Sequence, residues 1–390
     1  MLLLMTTTPY TYVDDPAALV EFCIKIHEAP WIALDTEFVR EKTFYPQLCL
    51  IQIATDQAVA CIDPLTLPDL GPLLDILYNP SIVKVMHAAR QDMEMFYHLR
   101  GELPRPIFDT QLAAPLLGLK EQMGYAGLVE SMLGVLLNKA HTRADWSHRP
   151  LSRAELEYAA DDVRYLAALY PRLRANLAVK GRLLWLENDF AELSEPSLYA
   201  NPPADAWLRV KGLQRLRSHQ LSVAQDLAKW REATAQQQDR PRSWILRDEN
   251  LLDLARLQPK NKTELAQLRG LHEQSAARHG ESILQVIADA QNHPPIPLPA
   301  THQTVQLTET QEAVVDVLLA VIRKLSAEHS IHPSVIASRK QLEQLVQGDT
   351  SSAVLHGWRK NMVGETLLAV LAGTVRLRVQ DGSLLLLTDI

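Results

Sequence analysis

The sequence has few cysteines and no long apolar run, and both absences limit what the protein can be. Cys23, Cys49 and Cys61 are the only cysteines among 390 residues, and no two of them form a Cys-x-x-Cys pair. Each lies among apolar neighbours, which predicts buried free thiols in a reducing compartment. No apolar run approaches the ~18–20 residues that cross a bilayer, and the start Met1–Met5 is too short for the core of a signal peptide. We therefore expect a cytoplasmic protein that makes no membrane contact.

The sequence also lacks any low-complexity tract and any phosphate-binding loop of the Gly-x-x-x-x-Gly-Lys-Ser/Thr type. The missing loop excludes a helicase, and we expect no nucleotide cofactor. With 47% hydrophobic and 22% charged residues, the composition is that of an ordinary globular protein, and the length predicts two or three domains. No sequence feature demands a second subunit, and a monomer is the expected state.

The net charge of −7 is unevenly distributed along the chain. Residues 1–199 carry 17 basic against 26 acidic side chains, residues 200–299 carry 14 against 11, and residues 300–390 carry 8 against 9. This distribution is compatible with a metal-dependent nuclease, in which acidic residues surround cations and basic residues elsewhere bind phosphates.

The hydrophobic pattern predicts an α/β domain followed by two helical regions. The predicted strands are residues 31–35, 48–54, 58–62 and 82–87, and the predicted helices are residues 67–77 and 89–100. A mixed sheet with helices on both faces is therefore expected for residues 1–195. Proline-rich segments at 195–203 and 292–299 predict linkers, so helical domains are expected at 205–290 and 303–390. The segment 374–389 alternates apolar and polar residues, as either a hairpin or a tail would.

Acidic residues occur in three segments that could act together. Asp35 and Glu37 end a hydrophobic strand, where residues two apart face the same side. Asp92 lies where a strand leads into a helix, and Tyr158 and Asp162 are four apart on a helix, so they share one face. Asp161 points about 100° away from Asp162, and it could be a solvated neighbour or could tune the charge of the site.

Phosphodiester hydrolysis explains why such acids would converge. Negative charge builds up on the phosphate and on the leaving oxygen, and two divalent cations about 3.5–4 Å apart can stabilise both the attacking and the leaving oxygen. Mg²⁺ and Mn²⁺ prefer carboxylate oxygens. Four converging carboxylates would repel one another strongly without a cation. The pattern thus predicts a site for two divalent cations, Mg²⁺ or Mn²⁺.

The three segments resemble the exonuclease motifs of the DEDD superfamily in its tyrosine-bearing subgroup. Further segments are similar to the ribonuclease D family: Phe44-Tyr45-Pro46 through Gln52, Phe108–Gln111, Asp145-Trp146 and Arg149-Pro150-Leu151. The resemblance implies a ribonuclease H-like fold and 3′→5′ release of nucleoside 5′-monophosphates. It also implies metal binding by Asp35, Glu37, Asp92 and Asp162, with Tyr158 orienting or deprotonating the attacking water. Glu37 and the backbone near Thr36 would contact the terminal 3′-hydroxyl.

Other residues are weaker candidates for substrate contacts. Gln52 lies next to the acidic strand and could reach the terminal nucleotide. His87 could orient substrate or merely close a strand. Trp146 could stack on a base or could equally be a packing residue. Asp109 fits a helix N-cap better than a catalytic role. Lys139, Arg143 and Arg149 could bind phosphates or could form a solvated basic surface.

The helical half resembles the HRDC domain, a module named for helicases and ribonuclease D. The specific match is Pro241–Asp248, in which Trp244, Ile245 and Leu246 are expected in the core and Asp248 is expected to cap the next helix. The resemblance implies nucleic-acid binding, and a strip of basic residues could serve it or could be plain solvated surface: Arg209, Lys211, Arg215 and Arg217. Residues 303–390 resemble a second, divergent HRDC module, for which packing against the catalytic domain is the alternative.

Three functions remain in competition. A 3′→5′ exoribonuclease that trims tRNA precursors and other structured RNAs is favoured, although the tRNA preference comes only from the family. A 3′→5′ DNA exonuclease is the first alternative, and a non-catalytic RNA-binding scaffold is the second. The presence of all four acids together with Tyr158 argues against the scaffold.

Overall fold

The computed structural model describes residues 8–138, 144–268, 270–271, 273–299 and 307–388. The first residues of the predicted domain 1–195 and both ends of the predicted domain 303–390 lie outside the described residues. Lys139 and Arg143 also lie outside them. Among the described residues, none of the helices combines the length and the apolar character that crossing a bilayer requires.

The N-terminal region contains a mixed six-stranded sheet. Its strands are β1 (Tyr10–Val13), β2 (Trp31–Val39), β3 (Gln47–Ala54), β4 (Val59–Ile62), β5 (Val83–Met86) and β6 (Ile107–Asp109), in the spatial order β1-β4-β3-β2-β5-β6. β2, β3 and β4 are antiparallel neighbours, and the outer pairs β1–β4, β2–β5 and β5–β6 are parallel. The predicted mixed sheet is confirmed. The sequence pattern missed β1 and β6, which are too short to show a periodic signal.

Helices cover both faces of this sheet. In chain order they are α1 (Pro16–Ile26), α2 (Gly71–Leu77), α3 (Arg90–Arg100), α4 (Thr110–Ala113), α5 (Tyr125–Leu133), α6 (Arg153–Val179) and α7 (Glu187–Leu193). α1, α2 and α3 share one core with the sheet, and α5 and α6 share the other. α6 begins at Ser152, which forms a reciprocal capping box with Glu155 and so satisfies free backbone amides at the helix start. This well-capped helix lies across β2, β3 and β4, and it carries Tyr158 and Asp162.

The first helical module has its own core. Its helices are α8 (Ser218–Gln238), α9 (Arg242–Ile245), α10 (Asp248–Leu257), α11 (Lys262–Ala266) and α12 (Glu273–Ala290). The module contacts the N-terminal region through Phe44, which packs with Ala235 and Ile245. Asp239 Oδ1 accepts hydrogen bonds from the amides of Phe44 and Tyr45 at 2.9 and 3.0 Å. A small contact therefore joins the module to the loop that follows β2.

Two expectations about this module are wrong. Trp244 is 53% exposed rather than part of the core, and the Arg240 guanidinium lies 5.7 Å from the centre of its ring. Asp248 is the first residue of α10 and pairs with Arg231, whereas Arg247 occupies the cap position. The pattern could not reveal these positions because it does not show which partner each side chain has. Ile245 and Leu246 are buried as expected.

The second helical module is fused to the N-terminal region. It comprises α13 (Glu309–His329), α14 (Pro333–Ile336), α15 (Arg339–Val346), α16 (Gly357–Arg359), α17 (Glu365–Leu371) and a hairpin of β7 (Val375–Gln380) with β8 (Ser383–Thr388). Its apolar residues join the core that lies beneath α6. Trp185 stacks on Trp358 at 4.6 Å, and Arg182 donates hydrogen bonds to the carbonyls of Leu116 and His329. Packing against the catalytic domain is thus what the structure shows, and the terminal hairpin adds to an otherwise helical module.

A buried ion pair anchors the segment before α6. Asp63 has no exposed side-chain surface, and its carboxylate accepts from Arg149 Nε at 2.5 Å and from Tyr12 Oη at 2.5 Å. Arg149 also donates to the carbonyls of Cys49 and Trp146. The guanidinium is therefore committed to structural contacts, so neither alternative for Arg149, a phosphate contact or a solvated basic surface, describes its position.

We expect Arg149→Met to destabilise the fold by about 3–5 kcal/mol, because it leaves a buried carboxylate without its partner. Burial alone would raise the pKa of Asp63, but hydrogen bonds from Arg149 and Tyr12 hold this pKa below its usual value. In the wild type, the stabilisation that ionised Asp63 contributes is fully present above the pKa that Asp63 has in the unfolded chain. It is lost as the pH falls through the lower pKa that Asp63 has in the folded protein. Without Arg149 the pKa of Asp63 should rise, so the deficit should shrink as the pH falls.

Denaturant unfolding at about pH 7 and about pH 5 measures this effect. Arg153→Met, which removes a nearby exposed arginine, is the matched control and should change stability little. Equal stability of the two variants at both pH values would contradict the structural role of the pair.

Candidate active site

Two acids project from one face of β2. Asp35 lies opposite Gln52 of β3, and Glu37 lies opposite Leu50. Because side chains alternate along a strand, Asp35 and Glu37 face the same side of the sheet as Ala33. The parallel pairing of β2 with β5 ends at Ala33, so both acids lie beyond the end of β5.

A third acid comes from α6, which crosses this face of the sheet. Ligand oxygens of Asp35, Glu37 and Asp162 lie within 4.8 Å of one another. Tyr158 is one helical turn before Asp162 and lines a cavity of about 720 Å³ together with it. The structure thus brings together four of the five predicted catalytic side chains, from a strand and a helix that are more than a hundred residues apart in the chain.

The protein environment penalises negative charge at this cluster. Burial raises the pKa of Asp35 to about 6. Burial and the charges of Asp35, Asp162 and Asp92 raise the pKa of Glu37 to about 9. The pKa of Asp162 is also raised, chiefly by burial and then by Asp35. A bound cation would offset both the mutual repulsion of these carboxylates and the cost of burying their charge. This donor set therefore fits a hard divalent ion.

Asp92 approaches from the other side of β2. It lies in the first turn of α3, and its carboxylate accepts a hydrogen bond from Thr36 Oγ1. Burial, followed by the charge of Asp35, raises the pKa of Asp92 well above its usual value. The carboxylate therefore interacts with the cluster electrostatically but is not part of the group of three. Thr36 alternates with Asp35 and Glu37, so its side chain holds Asp92 rather than facing the cavity.

Asp109 shapes the turn that precedes Asp92. Its carboxylate accepts from the amides of Ala88 and Ala89 at 3.1 and 2.9 Å, and from Gln111 N at 2.7 Å. Ala88 has a φ of 58°, a left-handed conformation that alanine rarely adopts and that these hydrogen bonds stabilise. Asp109 thus caps α4, as the sequence indicated, and also fixes the start of the segment that leads to Asp92.

His87 lies in the same turn. Its Nδ1 is 2.9 Å from Thr110 Oγ1, while its Nε2 is buried without a hydrogen-bond partner among the described residues. Burial lowers the pKa of His87, which favours the neutral imidazole. The ring is fixed by Thr110 and packs 5.6 Å from the ring of Tyr125.

Gln52 and Trp146 are interior residues, which argues against the expected direct contacts with RNA. Gln52 has 0% exposure, and neither of its side-chain polar atoms has a partner among the described residues. Trp146 is 3% exposed, and its ring centre lies 6.2 Å from that of Tyr158. Gln52 therefore lies beside Asp35 on the neighbouring strand without a hydrogen bond to it, and Trp146 packs near the Tyr158 ring.

Tyr125 is part of the site, although the sequence analysis did not identify it. It lines the same cavity as Tyr158, and its hydroxyl donates to the carbonyl of Asp161 at 3.0 Å. Burial and then the charges of Asp162 and Asp35 raise its pKa. A lone tyrosine after a glycine carries no motif, so its proximity to the acids appears only in three dimensions. Asp161 pairs with Arg164, is 32% exposed, and its charge adds to the rise in the pKa of Asp162.

Comparison with known proteins agrees with this geometry. A family model described as 3′-5′ exonuclease matches residues 10–178, and the HRDC domain model matches residues 220–287. The ribonuclease D of Zymomonas mobilis is 38% identical over 377 residues, which cover 95% of this chain and 96% of that protein. The ribonuclease D of Pseudomonas paraeruginosa is also 38% identical, with 94% and 99% covered.

A solved structure is similar over almost the whole chain. The crystal structure of Escherichia coli RNase D, described as an exoribonuclease involved in structured RNA processing, matches with a TM-score of 0.83 at 34% identity. The match covers 94% of this chain and 99% of that one. Fold, acidic cluster and full-length similarity lead to one conclusion: the chain belongs to the ribonuclease D family of hydrolytic 3′→5′ exoribonucleases.

Proposed function

We propose that this exoribonuclease releases nucleoside 5′-monophosphates from the 3′ ends of tRNA precursors and other structured RNAs, by hydrolysis that uses two divalent cations. The observation that carries the proposal is the convergence of Asp35, Glu37 and Asp162, whose oxygens lie within 4.8 Å of one another beside Tyr158. The RNA preference is supported by the similar Escherichia coli enzyme, which is described as acting in structured RNA processing.

The side chains have separate tasks in this proposal. Asp35, Glu37 and Asp162 would hold the cations together with Asp92. The Asp92 carboxylate would either lose its hydrogen bond from Thr36 Oγ1 or keep it on one oxygen while the other binds a cation. When bound, a pair of Mg²⁺ or Mn²⁺ ions would stabilise the charge that develops on the attacking and leaving oxygens. Tyr158, which lines the cavity, orients or deprotonates the attacking water. The Thr36 backbone and His87 are the proposed contacts to the terminal nucleotide.

The proposed domain division follows the cores of the protein. We propose a catalytic domain to residue 195 and a first HRDC module at 205–290, which has a separate core. A second HRDC-like module at 303–390 shares its core with the catalytic domain. Because of that shared core, the second module keeps a fixed position against the catalytic domain. The first module contacts the catalytic domain through a small interface.

A gel time course tests the function. A 5′-labelled tRNA with a short 3′ extension, incubated with enzyme and Mg²⁺ or Mn²⁺, should shorten stepwise from its 3′ end, and EDTA should stop the reaction. A DNA strand of the same sequence should persist. Faster shortening of DNA would favour a DNA exonuclease, and intact RNA and DNA under all metal conditions would favour a binding scaffold.

A further inference from the structure

Four arginine side chains meet at a cavity in the first helical module. The cavity has a volume of about 380 Å³ and lies where the segment before α8 meets α8, α9 and the start of α10. Its polar lining consists of Arg209, Arg231, Arg242, Ser243, Arg247 and Asp248. This cluster, which we call the arginine pocket, lies on a different module from the acidic site.

One buried carboxylate serves two of these arginines. Glu232 has no exposed side-chain surface. Its oxygens accept from Arg242 Nε at 2.5 Å and Arg242 Nη2 at 2.6 Å, and also from Arg209 Nη2 at 2.9 Å. Glu232 therefore fixes two guanidinium groups at once but can neutralise only one of them.

The other two arginines, Arg231 and Arg247, also have hydrogen-bond donors or charge that no partner in the described residues uses. Arg231 is nine-tenths buried and pairs with Asp248 at 2.6 Å, yet its Nε is buried without a hydrogen-bond partner among the described residues. Arg247 is exposed, and no ion pair involves it in the part of the chain that the structure describes. A buried donor without a partner costs free energy unless an acceptor reaches it.

Four guanidinium groups thus face two carboxylates, and the pocket has an excess of positive charge. A guanidinium stays protonated, and its planar set of donors fits the oxygens of a phosphate in a bidentate manner. Several fixed arginines around a small cavity therefore bind a tetrahedral phosphate better than one basic side chain alone would. We propose that the arginine pocket binds a backbone phosphate of the RNA strand whose 3′ end enters the acidic site.

The pocket is connected to the catalytic domain in a way that suits this role. The Arg242 guanidinium lies 4.5 Å from the centre of the Phe44 ring, and Asp239 holds the amides of Phe44 and Tyr45. The loop that contains Phe44 directly follows β2, the strand of Asp35 and Glu37. A phosphate held at the pocket would therefore lie next to the loop that continues the strand of catalytic acids.

This proposal rests on the proposed RNA substrate, so the test separates binding from hydrolysis. The full-length protein is titrated in EDTA against fluorescein-labelled single-stranded RNA of about 12 nucleotides, and anisotropy gives the affinity over a range of salt concentrations. The pocket variant is Arg209→Gln/Arg247→Gln, because both side chains are exposed and Glu232 keeps its pairing with Arg242. The control is Lys229→Gln/Lys260→Gln, which removes two exposed cations from the same module.

We expect the pocket variant to bind the RNA at least about tenfold more weakly. The slope of log affinity against log salt should fall by about 0.7 for the lost phosphate contact. The control variant should match the wild type in both measures, and the thermal melts of all three proteins should coincide. With metal present, the variant should lose more kcat/KM on the long RNA than on a dinucleotide, whose single phosphate cannot occupy the acidic site and the pocket at once.

Two outcomes would overturn the pocket assignment: unchanged RNA affinity in the pocket variant, and equal weakening in the control. The first outcome could be accompanied by a stabilisation by inorganic phosphate that the wild type shows and the pocket variant loses. The last result would identify a site for free phosphate. Each differs from failure of the proposed function, in which the wild type itself would not hydrolyse RNA with either metal.

Discussion

Asp35→Asn should reduce RNA hydrolysis by about 10³-fold or more while leaving RNA affinity nearly unchanged. The substitution keeps the shape of the side chain but removes one of the charges that hold a divalent cation. Asp35 contributes to the cluster of three oxygens, and among the clustered acids it is one whose charge raises the pKa values of Glu37, Asp92 and Asp162. The measurement is single-turnover hydrolysis of labelled RNA with Mg²⁺ and with Mn²⁺, beside anisotropy binding in EDTA.

A second readout for this variant does not depend on catalysis. Removing one acid from a group in which burial and mutual repulsion disfavour charge should leave the metal-free protein at least as stable as the wild type. Mg²⁺ or Mn²⁺ should then raise the melting temperature of the wild type, because a ligand that binds only the folded state stabilises it. The variant should lose most of this increase.

The matched control is Asp56→Asn, which removes an exposed carboxylate from the turn between β3 and β4. It should keep the hydrolysis rate and the metal-dependent stabilisation of the wild type. Near-normal turnover by Asp35→Asn would show that the metal assignment is wrong. Loss of RNA binding in EDTA would show instead that Asp35 contacts the substrate directly.

The acidic cluster was accessible from the sequence because each part of it obeys a local rule. Asp35 and Glu37 share a face through the two-residue period of a strand, and Tyr158 and Asp162 share a face through the helical turn. The strand signal was strong enough to locate β2, β3, β4 and β5, although β2 runs on to Val39, so Asp35 and Glu37 lie within the strand rather than at its end. Local periodicity thus predicted both the elements and the side of each element that carries the acids.

The parts that the sequence did not reveal depend on contacts between distant segments. Thr36 holds Asp92 across 56 residues of chain, and nothing near Thr36 in the sequence indicates that partner. Gln52 looked like a residue that could reach substrate because it lies on the strand next to the acidic one, yet α6 packs on that strand and Gln52 is buried. The core shared by α6 and the second module likewise joins segments more than a hundred residues apart.

Tyr158→Phe should lower kcat by about 10²–10⁴-fold, the usual effect of a group that handles the attacking water. The phenyl ring can keep its packing near Trp146, whose ring centre lies 6.2 Å from that of Tyr158, so the fold and the acids should be undisturbed. The rise in melting temperature caused by Mg²⁺ or Mn²⁺ should therefore match that of the wild type. Tyr165→Phe, on the same helix, is the control and should be nearly as active as the wild type.

The pH profile of this variant separates the two roles that remain open for Tyr158. If the Tyr158 hydroxyl only orients the water by hydrogen bonding, it keeps its own proton throughout the reaction. In that case the wild type and the Phe variant should show parallel pH profiles, offset by a constant factor. If Tyr158 instead removes the proton, the wild-type rate should keep rising towards the tyrosine pKa and the variant rate should not. If the metal-induced stabilisation disappears in Tyr158→Phe, Tyr158 supports the cations, and both water-handling roles are wrong.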